Sequence, residues 1–508
     1  MGNLSQITET VRLAVDIPVY IYLADHCFEG KAVLPAVEAL HLLATTVKDF
    51  SPDTETAWMR DGRFDKFLYL QTDGAQIAAF ADISVHKNGD ITANLLTKIR
   101  SKKSSITRIK EHASVRFPRI KPGLSDQPLD RTSTLEGICT KISSTRIYRD
   151  LVPFGPAYHN IRDVLHISED GALAKTYAPP YHTESNQPGY LGSPFVLDAA
   201  FHAACVWGQR YERVVAFPVG FERRVIFKRT RPGETYFSRI LPMQTGPDQL
   251  IFDIWIHDQN GRIFEAICGV RMRDVSSGRI KPPQWIISRG KKSPLGNITP
   301  HCRVLSVIEI ETVLQFAEKT LSKIEAKRSQ KMKDRRKRSY MAARLACKRL
   351  SRVLSNNDIR TSAADITTIC PDQIHPCCPI MDGTTSFLCS VSHDNRFAVA
   401  VASQHRIGVD VEKISQRVLN SRRLYMSSAE EILARESLLN EIEASVRIWS
   451  IKEAVAKALD INLADAWNRV QVVNVKKSRS RVQIDSLGTY SAFHDTVNRH
   501  LFTIIEIP

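Results

Sequence analysis

Ile407-Gly408-Val409-Asp410-Val411-Glu412-Lys413, followed thirty-five residues later by Trp449-Ser450-Ile451-Lys452-Glu453-Ala454-Val455-Ala456-Lys457, decides how this chain is read. The first piece alternates β-branched and acidic residues after a glycine, the pattern of a half-buried strand. On a strand, Asp410 and Glu412 leave the same face. The second piece has helical periodicity. Ile451, Val455 and Ala458 share one face, and Glu453 and Lys457 sit at i,i+4 on the other. If Glu453 faces the two strand acids, three carboxylates meet. Such a group repels itself unless a cation sits among them, and an all-oxygen donor set suits Mg²⁺ bound together with substrate phosphates. The same residues also read as an ordinary strand and an amphipathic helix with one Glu–Lys pair.

Taken together, the two pieces resemble the 4′-phosphopantetheinyl transferase superfamily, which pairs a G-(V/I)-D-(V/I)-E strand with a W-x-x-K-E-A-x-x-K helix in this order. Ser390-Val391-Ser392-His393-Asp394 is similar to the family's S-x-S-H stretch before that strand. Arg344, in Tyr340-Met341-Ala342-Ala343-Arg344-Leu345-Ala346, resembles the family's helix that reaches coenzyme A phosphates. The resemblance covers roughly residues 300–508. It implies transfer of 4′-phosphopantetheine from coenzyme A to a serine of an acyl carrier protein. It implies Mg²⁺ held by Asp410, Glu412 and Glu453, and Glu453 also as general base. Lys457 would steady the diphosphate, while Arg344, His393 and Ser392 bind the nucleotide phosphates.

With 508 residues the chain is too long for one ordinary core, and about two to four domains are expected. Hydrophobic content of 43% and charged content of 24% are those of a globular protein, and no apolar run reaches membrane-spanning length. The first ten residues are polar, without a signal-peptide core, and Gln6 breaks a myristoylation pattern. Ten cysteines scattered without a framework fit a reducing, cytoplasmic setting. The net charge of +16 attracts polyanions or acidic proteins. Much of the excess lies between Lys323 and Arg352. That stretch reads as a nucleic-acid helix, as a surface for coenzyme A phosphates and an acidic carrier, or as a solvated helix face. The expectation taken forward is no nucleic acid and no membrane.

Towards the N-terminus, a polar helix-like start precedes a strand-like run at 17–23. His26, Gly30 and Pro35 follow, and then a long apolar helix to about Val47, with proline near its first turn. Strand-like runs occupy 66–72, 76–84 and 92–97. The spacing H-x-x-x-G-x-x-x-x-P resembles the first half of a polyketide or fatty-acid synthase dehydratase, a double hotdog. By spacing alone His26 is equally a loop histidine. Residues 148–159, Tyr148-Arg149-Asp150-Leu151-Val152-Pro153-Phe154-Gly155-Pro156-Ala157-Tyr158-His159, resemble the opening of that family's second hotdog. Leu197-Asp198-Ala199-Ala200-Phe201-His202 resembles its L-D-x-x-x-(Q/H) motif. Asp198 reads as the start of an apolar helix, or as an N-cap, with His202 one turn on. The resemblance implies that His26 removes the C2 proton of a 3-hydroxyacyl-carrier thioester. Asp198 would donate to the departing hydroxyl, which needs it protonated at the start, and burial can raise a carboxyl that far. Strands 251–257 and 262–273, joined through Asn260-Gly261, would complete the sheet.

The expected organisation is α+β. A double-hotdog dehydratase spans 1–275, with halves at about 1–125 and 140–275. A Pro/Gly/Ser-rich linker fills 276–300, and a pseudo-two-fold α+β transferase spans 301–508. The expected partners are an acyl carrier protein, coenzyme A, acyl-carrier thioesters and a polyketide synthase megasynthase, with a homodimer through the dehydratase. The order of the two domains resembles the end of enediyne-type iterative polyketide synthases. A different class of reading keeps the transferase and makes the hotdog part a non-catalytic scaffold that docks carrier protein. Two further motifs are read as incidental. Asp485-Ser486-Leu487 holds the tripeptide of a modified carrier serine. Cys370, His375, Cys377 and Cys378 have no standard zinc spacing, and Cys377-Cys378-Pro379 stands where the transferase family has Gly-x-Pro.

Overall fold

The computed structural model describes residues 6–71, 76–100, 107–124, 127–180, 189–246, 249–287, 293–372, 375–380 and 387–508. The chain forms two compact units. One holds Met1–Ser125 with Thr140–Arg289, the other Asp126–Cys139 with Gly290–Pro508.

In the first unit the strands are β1 (Ile7–Pro18), β2 (Trp58–Arg63), β3 (Gln76–His86), β4 (Ile91–Arg100), β5 (Thr107–Phe117), β6 (Thr140–Ser143), β7 (Ile161–Ser168), β8 (Gly171–Tyr177), β9 (Phe217–Ile226), β10 (Thr235–Gln244), β11 (Leu250–His257) and β12 (Ile263–Arg273). Among the described residues they make one twelve-stranded sheet in the order β1-β3-β4-β5-β2-β9-β12-β11-β10-β8-β7-β6. Two half-folds meet where β2 pairs β9 antiparallel, Val225 opposite Trp58. Each half wraps a long helix, α1 (Ala36–Phe50) and α2 (Pro194–Tyr211), and the two helices pack together. In α1 the residues Val37, Leu40, Leu43, Ala44 and Val47 follow helical spacing and are buried. Each of its fully buried leucines contributes about 1.5–3 kcal/mol. In α2 every residue from Pro194 to Gln209 is buried, because sheet, α1 and short helical turns cover it all round. This is the expected double hotdog.

Four local expectations are corrected. The N-terminal stretch is strand β1, not a helix. Its outward side chains alternate with inward Leu13, Val15 and Ile17, and it pairs along β3 with Arg12 opposite Asp82. Pro18 ends it, and Ile21–Asp25 is a 3-10 turn rather than strand. Residues 66–71 form no strand beyond one bridge from Tyr69 to Val33, and Thr72 lies outside the described residues. Asp198 does not start α2. The helix begins at Pro194, after Ser193, and Asp198 sits in its second turn.

The second unit repeats one theme twice, a helix laid on an antiparallel sheet. Strands β13 (Val304–Glu309), β14 (Leu388–His393) and β15 (Phe397–Ser403) order as β13-β15-β14 under helix α3 (Asp334–Leu354). Strands β16 (Arg406–Lys413), β17 (Val470–Asn474), β18 (Arg479–Ile484), β19 (Gly488–Val497) and β20 (His500–Ile507) order as β16-β20-β19-β18-β17 under helix α4 (Glu441–Leu459). The serines of β14 join the two sheets. Ser390 Oγ accepts from Val409 N at 3.1 Å and Ser392 Oγ from Val411 N at 3.3 Å. Alternate serines on one strand thus satisfy alternate N–H groups along the free edge of β16, which would otherwise be buried unpaired.

Residues 126–139, placed by the sequence within the first domain, belong to the second unit. Buried Asp130 takes two hydrogen bonds from buried Arg352, at 2.7 and 2.6 Å. Gly137 N donates to Val307 O and Cys139 N to Glu309 Oε1. The basic stretch is also partly internal. Arg344, Lys348, Arg349 and Arg352 are buried on α3, and Lys348 Nζ lies 2.9 Å from Glu325. No helix among the described residues is long and apolar enough to cross a membrane.

Candidate active sites

Helix α4 starts at Asn440, whose side chain accepts from Glu443 N, and puts Ser450, Glu453 and Lys457 on one face at i, i+3 and i+7. Gly408 lets β16 run against this helix, since a Cβ there would fall 1.8 Å from Ala454 O. Across that contact lies Asp410, 2% exposed. Lys457 Nζ donates to Asp410 Oδ1 at 2.9 Å, to Ser392 Oγ at 3.0 Å and to Val409 O at 3.1 Å. Ser392 Oγ donates to Asp410 Oδ1 at 2.9 Å, and Ser450 Oγ to Asp410 Oδ2 at 2.8 Å. Glu453 Oε2 stands 3.6 Å from Lys457 Nζ. Burial opposes the charge on Asp410, but Lys457 and these hydrogen bonds outweigh it and hold the carboxyl below its usual range. Burial and the charge of Asp410 push Glu453 up, and push Glu412 up to about 7.

A cavity of about 340 Å³ opens above this network, lined by Arg344 of α3, Ser392 and His393 of β14, and Glu453 and Lys457 of α4. Arg328, Arg336 and Tyr340 add to its rim. Arg344 is partly committed elsewhere, since its Nη1 donates to Thr368 O at 2.6 Å, while its Nε has no hydrogen-bond partner among the described residues. Asp410, Glu412 and Glu453 feel one another's charge. Yet among the described residues the group of three whose ligand atoms lie within 4.8 Å of one another is Cys347, Cys378 and Cys389, not these acids. The donor set nevertheless fits a hard divalent ion. It is all oxygen, and two of its members are driven towards protonation by burial and by the neighbouring Asp410 charge, which a cation would offset.

In the first unit a cavity of about 560 Å³ is lined by His26, Asp198, His202, Phe154 and the start of α1 at Ala36. His26 Nδ1 lies 3.1 Å from Val33 O. A donor at Nδ1 leaves Nε2 as the free base, and that atom faces Asp198 Oδ1 at 4.0 Å. Phe154 and Tyr158 pack on the His26 ring at 4.3 and 5.0 Å. Burial holds His26 below the usual histidine value, against the pull of Asp198. His202 Nε2 lies 3.0 Å from Asp198 Oδ2, one helical turn on. Tyr148 Oη accepts from Ile161 N at 2.8 Å and sits 3.5 Å from His202 Nδ1. The protonated Asp198 expected from burial is corrected here. Burial does raise it, but His202 and His26 beside it bring the carboxyl below its ordinary value.

Residues 406–504 match the sequence model of the 4′-phosphopantetheinyl transferase superfamily, and residues 126–280 match that of the polyketide synthase dehydratase N-terminal domain. The chain carries a polyketide synthase dehydratase domain and a 4′-phosphopantetheinyl transferase superfamily domain. Among curated proteins it is similar to polyketide synthase PksM of Bacillus subtilis (strain 168), 21% identical over 304 residues, 56% of this chain and 7% of that protein. Polyketide synthase PksN of the same organism is 24% identical over 294 residues, 53% of this chain and 5% of that protein. The chain thus spans a small fraction of these relatives' length. Similar solved structures include the dehydratase domain of a mycocerosic acid synthase-like polyketide synthase, with TM-score 0.44, 17% identity, and 54% of this chain and 95% of that chain covered. The dehydratase domain from the CurF module of curacin polyketide synthase gives TM-score 0.42, 17% identity, and 54% and 96% coverage.

In the transferase domain, Arg344, Ser392, His393, Glu453 and Lys457 share one cavity, and Asp410 lies hydrogen-bonded beneath it. In the dehydratase domain, His26 and Asp198, about 170 residues apart in sequence, share the other. Sequence reasoning missed Ser450, although its place three residues before Glu453 on the helical face was the available signal. It also missed Tyr148, quoted only as part of a motif, whose hydroxyl anchors the His202 side of the site. The cysteine–histidine set does not assemble. His375 is half-buried between Asp372 and Asp460, while Cys378 lies with Cys347 and Cys389. Asp485–Leu487 is a 3-10 turn between strands; the Ser486 side chain lies outside the description.

Proposed function

We propose that the chain transfers 4′-phosphopantetheine from coenzyme A to a serine of an acyl carrier protein, and dehydrates 3-hydroxyacyl thioesters held on such a carrier. The observation that carries the first activity is the Lys457–Asp410–Ser392 network under a cavity walled by Arg344 and His393. Asp410, Glu412 and Glu453 would hold Mg²⁺, which supplies Lewis-acid stabilisation to the diphosphate. Lys457 neutralises charge on the diphosphate, and Arg344 and His393 bind the nucleotide phosphates. Glu453, with its carboxyl raised, accepts the proton of the carrier serine as its oxygen bonds to phosphorus. The phosphorus–oxygen bond to 3′,5′-ADP breaks, and that product leaves. The test is mass spectrometry of carrier protein after incubation with coenzyme A and Mg²⁺. Undiminished transfer by Asp410→Ala removes the metal assignment.

In the dehydratase, His26 Nε2 takes the C2 proton of the thioester and Asp198 delivers a proton to the departing hydroxyl, giving enoyl thioester and water. An acyl chain filling the apolar cavity would displace solvent and raise Asp198 towards the protonated form that donation needs. The sites face solvent-borne acidic partners in a cytoplasmic setting, with the dehydratase pairing as a homodimer. Incubating 3-hydroxyacyl-carrier thioester with His26→Ala checks the role of the base, and wild-type rates of enoyl product would remove it. One observation favours a second reading. His202 at 3.0 Å and His26 at 4.0 Å hold Asp198 below its ordinary range, against the proton donation dehydration needs, which suits a hotdog scaffold that docks carrier protein without turnover. Enoyl product formed by the wild-type chain excludes it.

A further inference from the structure

Three thiols that neither active site uses converge in the transferase unit. Cys347 on α3, Cys378 after Pro376, and Cys389 on β14 place their sulfurs within 4.8 Å of one another. Cys378 and Cys389 sulfurs lie 2.8 Å apart. Cys347 is 0% and Cys378 6% exposed, Cys389 is half-buried, and all three are free thiols. They lie in one buried apolar cluster with Met341, Leu345, Ala346 and Leu350. This apolar shell excludes hard, strongly hydrated cations and favours thiolate bonding to a soft d¹⁰ ion. A zinc–sulfur bond of about 2.3 Å sets tetrahedral sulfur–sulfur distances of about 3.8 Å, so Cys378 and Cys389 part by about 1 Å to take the ion while the set stays within its 4.8 Å limit.

We propose that Cys347, Cys378 and Cys389 form a structural three-thiolate site for zinc(II). Binding releases three thiol protons to solvent and forms three zinc–sulfur bonds, with no change of oxidation state. The three segments tied together are those that wall the cavity above. Ala343 lies one turn before Cys347, Pro376 two residues before Cys378, and Val391 two residues beyond Cys389, and all three line that cavity. The ion therefore staples helix, loop and strand behind the pocket. The site stands on its own geometry, whatever the pocket binds.

The test uses the full chain, purified reduced, desalted and equilibrated with Zn²⁺ alone or Co²⁺ alone in excess Mg²⁺. The expected result is one equivalent of retained zinc, a thiolate-to-cobalt charge-transfer absorption, and zinc shielding of Cys389 but not Cys27 from alkylation. Cys378→Ser and Cys389→Ser lose the equivalent, whereas Cys370→Ser and Cys377→Ser keep it. The absence of both retained zinc and the charge-transfer band in the wild-type chain overturns the proposal. So does a band that persists in both ligand variants, or a Cys378–Cys389 disulfide found by peptide mapping in place of the metal. Should a ligand variant fail to fold, the cobalt spectrum and alkylation pattern of the wild-type chain decide.

Discussion

Gly408→Ala is expected to damage the transferase unit through a single methyl group. The added Cβ would lie 1.8 Å from Ala454 O, 2.7 Å from its carbonyl carbon and 3.0 Å from Ala458 N. Ordinary carbon–oxygen contact is about 3.3 Å, so strand and helix must part by about 1.5 Å. The obstacle is helix backbone, which has no rotamer to change, so the cost falls at the upper end of overpacking, about 3 kcal/mol. The same displacement acts on the site, because α4 carries Ser450, Glu453 and Lys457 while β16 carries Asp410. A Lys457–Asp410 bond of 2.9 Å would open beyond hydrogen-bond range. Misplacement on this scale costs about 100-fold in rate. The assay is urea unfolding followed by the fluorescence of Trp449 and Trp467, which pack together in this unit, beside phosphopantetheine transfer to a carrier protein. A variant within about 0.5 kcal/mol of wild type, transferring at an unchanged rate, would refute the claim that this glycine sets the strand–helix distance.

Asp130→Ala should destabilise the second unit by about 3–5 kcal/mol, since it strands the buried Arg352 guanidinium; a urea midpoint unchanged from wild type contradicts this. Burial lifts the Glu38 carboxyl from 4.5 to about 7, so the folded state keeps a proton that the unfolded chain releases between those values. Its contribution to stability is therefore full below about pH 4.5 and is lost as pH rises through 7, and Glu38→Gln should gain in melting temperature over wild type from pH 5 to pH 8. A difference that stays constant across that range argues against the buried, protonated carboxyl. Tyr148→Phe leaves the Ile161 N–H buried without an acceptor and should cost about 1–3 kcal/mol, measured by thermal unfolding of the dehydratase unit.

Much of both sites is legible residue by residue. The two-residue period of Asp410 and Glu412 and the three-and-four period of Glu453 and Lys457 are local geometry, set by backbone repeat alone. The same holds for α1, whose apolar stripe needs no knowledge of what covers it. The polar start of β1 was misread because an edge strand with only one covered face shows weak alternation, and its partner β3 lies some seventy residues on. Residues 126–139 fall inside the dehydratase sequence match yet cluster with the second unit. Nothing local shows that Asp130 pairs with Arg352, 222 residues later.

The sequence by itself determined which side chains could do chemistry and on which kind of element each sits, because propensity, periodicity and spacing act over a few residues. Only the tertiary structure decided which groups surround them. Asp198 is held below its ordinary range because His26, from a distant segment, joins His202 of its own helix beside it, and Cys378 belongs with Cys347 and Cys389 rather than with its neighbours in sequence. Electrostatic and packing energies depend on separation in space and on excluded water, and neither quantity is carried by the order of residues along the chain.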